Sequence, residues 1–414
     1  MSDNADIHRL LDETIRRERG WLISSLVSKL GPAKVELAED VAQDAIVKAL
    51  ATWPYKGVPD NPRAWLRRVA GNTAIDRVRR DAREFGVDEN WDFGQVDPDV
   101  VTPSLSDPEL DLMVLCCDPS IAPQDQLFLA LKTVCGFIAA ETAALFFKKE
   151  DALSQRLSRA KRTLKAQSGE LARFPTRFAL KARLPQLLKV IYLMFAWGYL
   201  PRRGDLLFRE DICREALRLS QGLLTQTKGA TNGHHALHAL LLFQMARLPA
   251  RAKSNGELLT LEEQDRTQWD QEMISEGFDH LHAAQASHEV TRYHLEAGIA
   301  SLHSQAKEWV ATSWPKIERF YELLFDKAPS LPVIINWAVS LIMLGDLETA
   351  GAKLEEAALQ PHATTLPAYH LARAQLAMRN NQTAAARAAI QSAKTCQSSG
   401  PVADYIDREL SLVD

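Results

Sequence analysis

NPRAWLRRVAGNTAIDRVRRDAR, residues 61–83, is the stretch from which the rest of the chain can be read. Asn61 carries the short polar side chain of a helix N-cap, and Pro62 has the fixed φ of a first helical residue, so a helix is predicted to open there. Ala64, Trp65, Val69, Ala74, Ile75 and Val78 form its apolar face. Arg63, Arg67, Arg68, Arg77, Arg79, Arg80 and Arg83 stand against only Asp76 and Asp81. A charge run is ordinarily a solvated face laced by i, i+4 ion pairs. Acids are too few here to supply those pairs, which favours a surface that follows phosphates.

Upstream, Leu10, Leu11, Ile15, Leu22, Ile23, Leu26 and Leu30 recur near a 3.6 spacing, and Gly31-Pro32 ends that helix. A second helix is predicted over 35–53, closed by Pro54. Downstream the sign of the charge reverses. Residues 88–125 hold ten acids and no Lys or Arg, and with Pro98, Pro103 and Pro108 they read as a linker. Residues 132–183 are basic again and fit a helix-turn-helix: a first helix at 137–147, a turn at Lys148-Lys149-Glu150 and a second helix at 151–165. Leu153, Leu157, Ala160 and Leu164 would pack inward, leaving Ser154, Gln155, Arg156, Ser158, Arg159 and Arg162 to face a groove.

At 414 residues the chain is long enough for two or three domains, and 46% hydrophobic with 25% charged residues is the balance of a soluble globular protein. A net charge of −4 argues against coating nucleic acid through bulk positive charge. Five cysteines without a C-x-x-C spacing, and a charged N-terminus without an apolar signal core, predict a cytoplasmic protein without a membrane span. No Walker loop, G-x-S-x-G, H-E-x-x-H or G-x-G-x-x-G occurs, so no enzyme and no cofactor are expected. His234 and His238, spaced i, i+4, could ligate a metal, but no Glu or Cys lies near them in sequence and an ordinary helix start is favoured. Cys116 and Cys117 read as buried small apolar residues, and EEQDRTQW (262–269) as a solvated helix start capped by Asp265. Near the end, residues 335–358 align with 369–392 at a constant shift of 34, matching Ala338 to Ala372 and Ala350 to Ala384. That period with small residues at helix contacts has the tetratricopeptide form, and the helices from Leu184 onward would complete the stack.

AEDVAQDAIVKAL (38–50), followed by residues 61–83, closely resembles region 2 of bacterial RNA polymerase sigma factors of the extracytoplasmic-function type. SQRLSRAKRTLK (154–165) resembles their region 4. VIYLMFAWGY (190–199), EEQDRTQWD (262–270) and the repeat-like end resemble a subgroup with a long helical extension. The resemblance implies an all-α chain: region 2 over 1–87, an acidic linker over 88–121, region 4 over 122–170, and an α-solenoid-like extension over 184–414 with repeats at about 332–395. It implies that Asp40, Gln43 and Asp44 dock on core RNA polymerase. Arg67, Arg68, Asn72, Asp76, Arg77, Arg79 and Arg80 would bind and open the −10 element of promoter DNA. Lys149, Ser154, Gln155, Arg156, Arg159 and Arg162 would read the −35 element as duplex. The extension would regulate or contact a protein partner. Two other classes compete: a tetratricopeptide interaction adaptor, which leaves the two basic segments unexplained, and a free-standing helix-turn-helix regulator, which leaves the acidic helix at 36–44 unexplained.

Overall fold

Three helices in succession carry the basic stretch. In a computed structural model that describes residues 2–85, 107–146, 148–168, 177–199, 208–226, 231–286, 289–396 and 400–413, α1 (Ser2–Leu30) ends where Gly31 takes φ 87° ahead of Pro32. α2 (Val35–Lys56) runs through Pro54 rather than stopping before it, because a proline this near the end removes a single ladder hydrogen bond. Gly57, at φ 80°, then closes the helix by donating its N–H to the Trp53 carbonyl. α3 (Pro62–Phe85) opens as predicted, with the Ala64 N–H on Asn61 Oδ1 at 2.9 Å. Its buried stripe is Leu66, Ala70 and Ala74, shifted from the predicted one: Ala64 is exposed, and Trp65, Val69, Ile75 and Val78 flank the stripe. Facing it, α2 buries Ala38, Ala42, Ala45 and Ala49, whose small side chains let backbones approach. Gly20 of α1 makes the closest approach, since a Cβ there would lie 1.9 Å from the Val134 carbonyl oxygen.

The described part of the acidic segment is not a linker. Asp107 caps α4 (Pro108–Cys116) by accepting the Glu109 N–H at 2.9 Å, and the helix is buried from Glu109 to Cys116. Leu110, Leu112, Met113, Val114 and Leu115 each contribute roughly 1.5–3 kcal/mol on leaving water. The acids are matched by cations far along the chain: Arg218 pairs with Asp107 and Glu109, while Arg183 pairs with Asp118 at 2.5 Å and donates to the Val114 carbonyl at 2.7 Å. Residues 88–106 of the predicted linker lie outside the described residues. Cys116 and Cys117 are buried as expected, and burial pushes both thiols up, Cys117 to about 12.

α5 (Pro123–Thr133), α6 (Ala139–Leu145) and α7 (Glu150–Ser168) follow. They share one compact unit, Met1–Met194 with Arg218–Lys228, and a second unit comprises Phe195–Leu217 with Gly229–Asp414. α8 (Arg177–Tyr199) and α9 (Glu210–Gln226) contribute residues to each. The second unit continues with α10 (Asn232–Ala246), α11 (Gln271–Ala284), α12 (Arg292–Gln305), α13 (Trp314–Lys327), α14 (Leu331–Leu344), α15 (Leu347–Ala358), α16 (Pro367–Arg379), α17 (Thr383–Cys396) and α18 (Pro401–Ser411). Among the described residues there is no strand, only one isolated bridge between Ala252 and Leu258. The fold is all-α. No described helix is long and apolar enough to cross a membrane.

The residues of EEQDRTQWD bind rather than solvate. Asp265 does cap a turn, accepting the Thr267 N–H at 3.0 Å, but that turn is a short 3-10 helix with Gln264 and Trp269 buried beside it. Arg266 donates to the carbonyls of His303 and Ala306 at the end of α12, at 2.5 and 2.7 Å. The repeat also differs from a constant shift. First helices keep the 34-residue register, with Ala338 and Ala372 both buried. In the second helices Ala384 is exposed, and the buried set Ala350, Leu354 and Ala357 corresponds to Ala386, Ile390 and Ala393 at a shift of 36. One added position extends the end of α16 and one lengthens the turn, where Asn381 takes φ 59° while Gly345 at φ 84° ends α14.

Candidate nucleic-acid interface

A cleft of about 850 Å³ lies along the exposed side of α3, lined by Lys29, Pro59, Asn61, Ala64, Trp65, Arg67, Arg68, Gly71, Asn72 and Ile75. Trp65, Arg68, Asn72 and Ile75 recur at i, i+3, i+7 and i+10, so helical geometry alone puts them on one face. Trp65 is half-buried, edge-on to the buried Trp53 with ring centroids 5.4 Å apart, and its remaining surface forms the cleft wall. Gly71 keeps the floor low, since a Cβ there would meet nothing within 4 Å. An aromatic wall, an amide and two guanidinium groups suit an unstacked base with its phosphates. The sequence reading assigned Trp65 to the core and so missed this wall. Its spacing from Arg68 and Asn72 was the available signal.

Arg67, Arg68, Arg79 and Arg80 are exposed, and no described carboxylate pairs with them. Asp76 is also exposed. Two other arginines of α3 have structural work. Arg63 pairs with the buried Glu18 at 2.5 Å and lies 4.5 Å over the Trp21 ring, fastening α3 to α1. Arg77 reaches Asp44 at 2.6 Å and Asp40 at 3.5 Å, so one residue expected on DNA holds two expected on polymerase. The Arg83 side chain lies outside the described residues. On α2, Asp40 and Gln43 are exposed beside Val47 and Leu50, which are 54% and 47% exposed, a mixed polar and apolar stripe.

In α7 the expected inward set holds: Leu153, Leu157, Ala160 and Leu164 are buried. Lys149, Ser154, Gln155, Arg159 and Arg162 are exposed. Arg156 departs from its expected place. It pairs with Asp125 at 2.5 Å, donates to Gln124 Oε1 at 2.8 Å and lies 4.9 Å over the Phe128 ring, so it cements α5 to α7. The preceding helix is shorter than predicted, and Phe147 lies outside the described residues.

Comparison with known proteins adds an independent line. The sigma-70 region 2 family matches residues 14–84, which contain the cleft and the α2 stripe. The chain carries a sigma-70 region 2 domain. Members of this family are non-enzymatic transcription factors, and region 2 supports a role in RNA polymerase binding and promoter recognition. A family of unknown function (DUF6596) matches residues 183–285. An uncharacterized protein of Rhizobium meliloti (strain 1021) is 32% identical over 363 residues, covering 82% of this chain and 83% of its own length. The chain and that protein therefore belong to one family along most of their lengths. No solved structure matches significantly.

Proposed function

We propose that the chain is an extracytoplasmic-function type sigma factor that brings core polymerase to a promoter and opens the −10 region. The observation that carries this reading is the α3 cleft, where Trp65, Arg68 and Asn72 converge beside unpaired Arg67. In this reading Asp40, Gln43 and Asp44, with the apolar stripe of Val47 and Leu50, dock on a basic polymerase surface. Arg67, Arg68, Arg79 and Arg80 hold phosphates of the opened strand while the cleft takes a base. Lys149, Ser154, Gln155, Arg159 and Arg162 present the groove-facing side of a region 4 helix-turn-helix. The helical array from Leu184 is a tetratricopeptide-like regulator or partner platform, supported by the paired helices α14–α15 and α16–α17 and their buried alanines. A net charge of −4 accords with DNA affinity gained only together with polymerase.

Run-off transcription with purified core polymerase and a promoter library, this protein being the sole initiation factor, tests the reading. Specific transcripts that disappear with R79A/R80A are expected. Failure to bind core polymerase or to yield any specific transcript overturns it.

A further inference from the structure

We propose that the second unit holds a first-row divalent cation, Zn2+ foremost, between α10 and α11 on His238, Glu276 and His280. His238 Nε2 and His280 Nε2 each lie 4.0 Å from Glu276 Oε1, and the three donor atoms fall within 4.8 Å of one another. A tetrahedral zinc with bonds of about 2.0–2.2 Å needs its donors about 3.3–3.5 Å apart, so closure takes a shift of roughly 1 Å. Glu276, 52% exposed, can reorient to close its own two gaps without disturbing the core, and rotation of the half-buried His280 ring brings the two imidazoles together. At 4.0 Å both imidazoles stand beyond hydrogen-bond distance of this carboxylate.

The placement follows from the sequence. Glu276 and His280 are spaced i, i+4 and share one face of α11. Gly277 between them lets α11 press on α10, for a Cβ there would come within 2.8 Å of the Phe243 ring. The i, i+4 pair that spacing offers, His234 with His238, for which the sequence favours an ordinary helix start, gives way to His238 with two residues some forty positions away.

A supporting residue is also in place. His235 Nδ1 lies 2.9 Å from His280 Nδ1. A cation on His280 Nε2 fixes that ring's proton on Nδ1, where His235 accepts it, the orienting contact that ligating histidines make with an outer partner. Two imidazoles and one carboxylate suit Zn2+, Co2+ or Fe2+ and not Mg2+, which prefers oxygen ligands throughout. With three protein ligands and an exposed carboxylate, a fourth position faces solvent.

The test uses tag-free full-length protein stripped with a chelator and titrated with Co2+, read by its visible ligand-field absorption, and with Zn2+ by calorimetry. One cation per chain is expected, with Mg2+ inert. E276Q/H280Q should lose at least the ~10–100-fold in affinity that even outer-shell changes cost, while H282Q on the exposed part of α11 should leave binding unchanged. H235Q should weaken binding less than the double variant does. Circular dichroism confirms that each variant is folded. Absence of stoichiometric binding, or equal affinity in wild type and E276Q/H280Q, overturns the proposal.

Discussion

Lys161 of α7 forms an ion pair with Glu39 of α2 across 122 positions of sequence, and the two side chains are only 15% and 11% exposed. The Thr133 hydroxyl donates to the other oxygen of the same carboxylate at 3.2 Å. The helix that carries the exposed arginines of the second basic block thus rests on the neighbour of the cleft helix. Removing one partner leaves a charge largely buried and unmatched. Lys161→Ala should destabilise the chain by about 2–4 kcal/mol, just under the range for fully buried pairs. Equilibrium denaturation reads the loss, and a Glu39→Ala, Lys161→Ala double variant should be less destabilised than the sum of the two singles.

Two glycines should respond oppositely to a methyl group. Gly20→Ala drives a Cβ into the Val134 carbonyl, a backbone atom that cannot move aside, and should cost about 3 kcal/mol or more. Gly71→Ala meets open space within α3 and should stabilise by roughly 0.5–1 kcal/mol. Thermal denaturation of the two variants checks both signs. Gly71→Ala should nonetheless reduce transcription, because its methyl intrudes on the cleft floor.

The exposed arginines should separate binding from stability. Arg79→Ala and Arg80→Ala remove no ion pair among the described residues, so each should change stability by less than about 0.5 kcal/mol. Each should also lower the slope of log affinity against log salt for single-stranded DNA by about 0.7, the share of one phosphate contact. Fluorescence anisotropy with the polymerase-bound protein across a salt series measures that slope. Arg156→Ala should do the reverse, destabilising through its contacts with Asp125 and Phe128.

Acid should weaken the second unit through His303. Burial, reinforced by Arg247 and Arg266, pushes its imidazole down to about 3, whereas in the unfolded chain it titrates near 6.5. Between those values the unfolded chain binds a proton that the folded chain refuses. Stability is therefore fully present above about pH 6.5 and falls by up to about 1.4 kcal/mol per pH unit below it. Replacing His303 with Leu should flatten that part of the stability–pH curve, measured by urea denaturation from pH 7 to pH 4.

Local signals were legible and distant partners were not. The Asn61-Pro62 opening of α3, the Gly31-Pro32 stop and the inward face of α7 each follow from residues within one or two helical turns. The arginine face was legible because neighbouring acids are few. α4 was hidden for the opposite reason: its acids look solvated until Arg218, over 100 residues on, is seen against them. Arg156 looked free until Asp125 was seen beside it, and Trp65 looked like core because one half of it is. Spacing likewise could not show that α11 brings a carboxylate to His238. The 34-residue period held within the first helices and slipped by two across a helix end and its turn.

If Arg77 binds DNA and Asp40 and Asp44 bind polymerase, as the resemblance implies, their pairing makes the two surfaces thermodynamically reciprocal. A polymerase that takes up the two carboxylates frees a guanidinium for DNA, and a phosphate that takes the guanidinium frees two carboxylates for polymerase. Whatever factor one ligand adds to the affinity for the other must be returned in equal measure. A factor wired in this way is quiet toward each ligand alone and committed only to both.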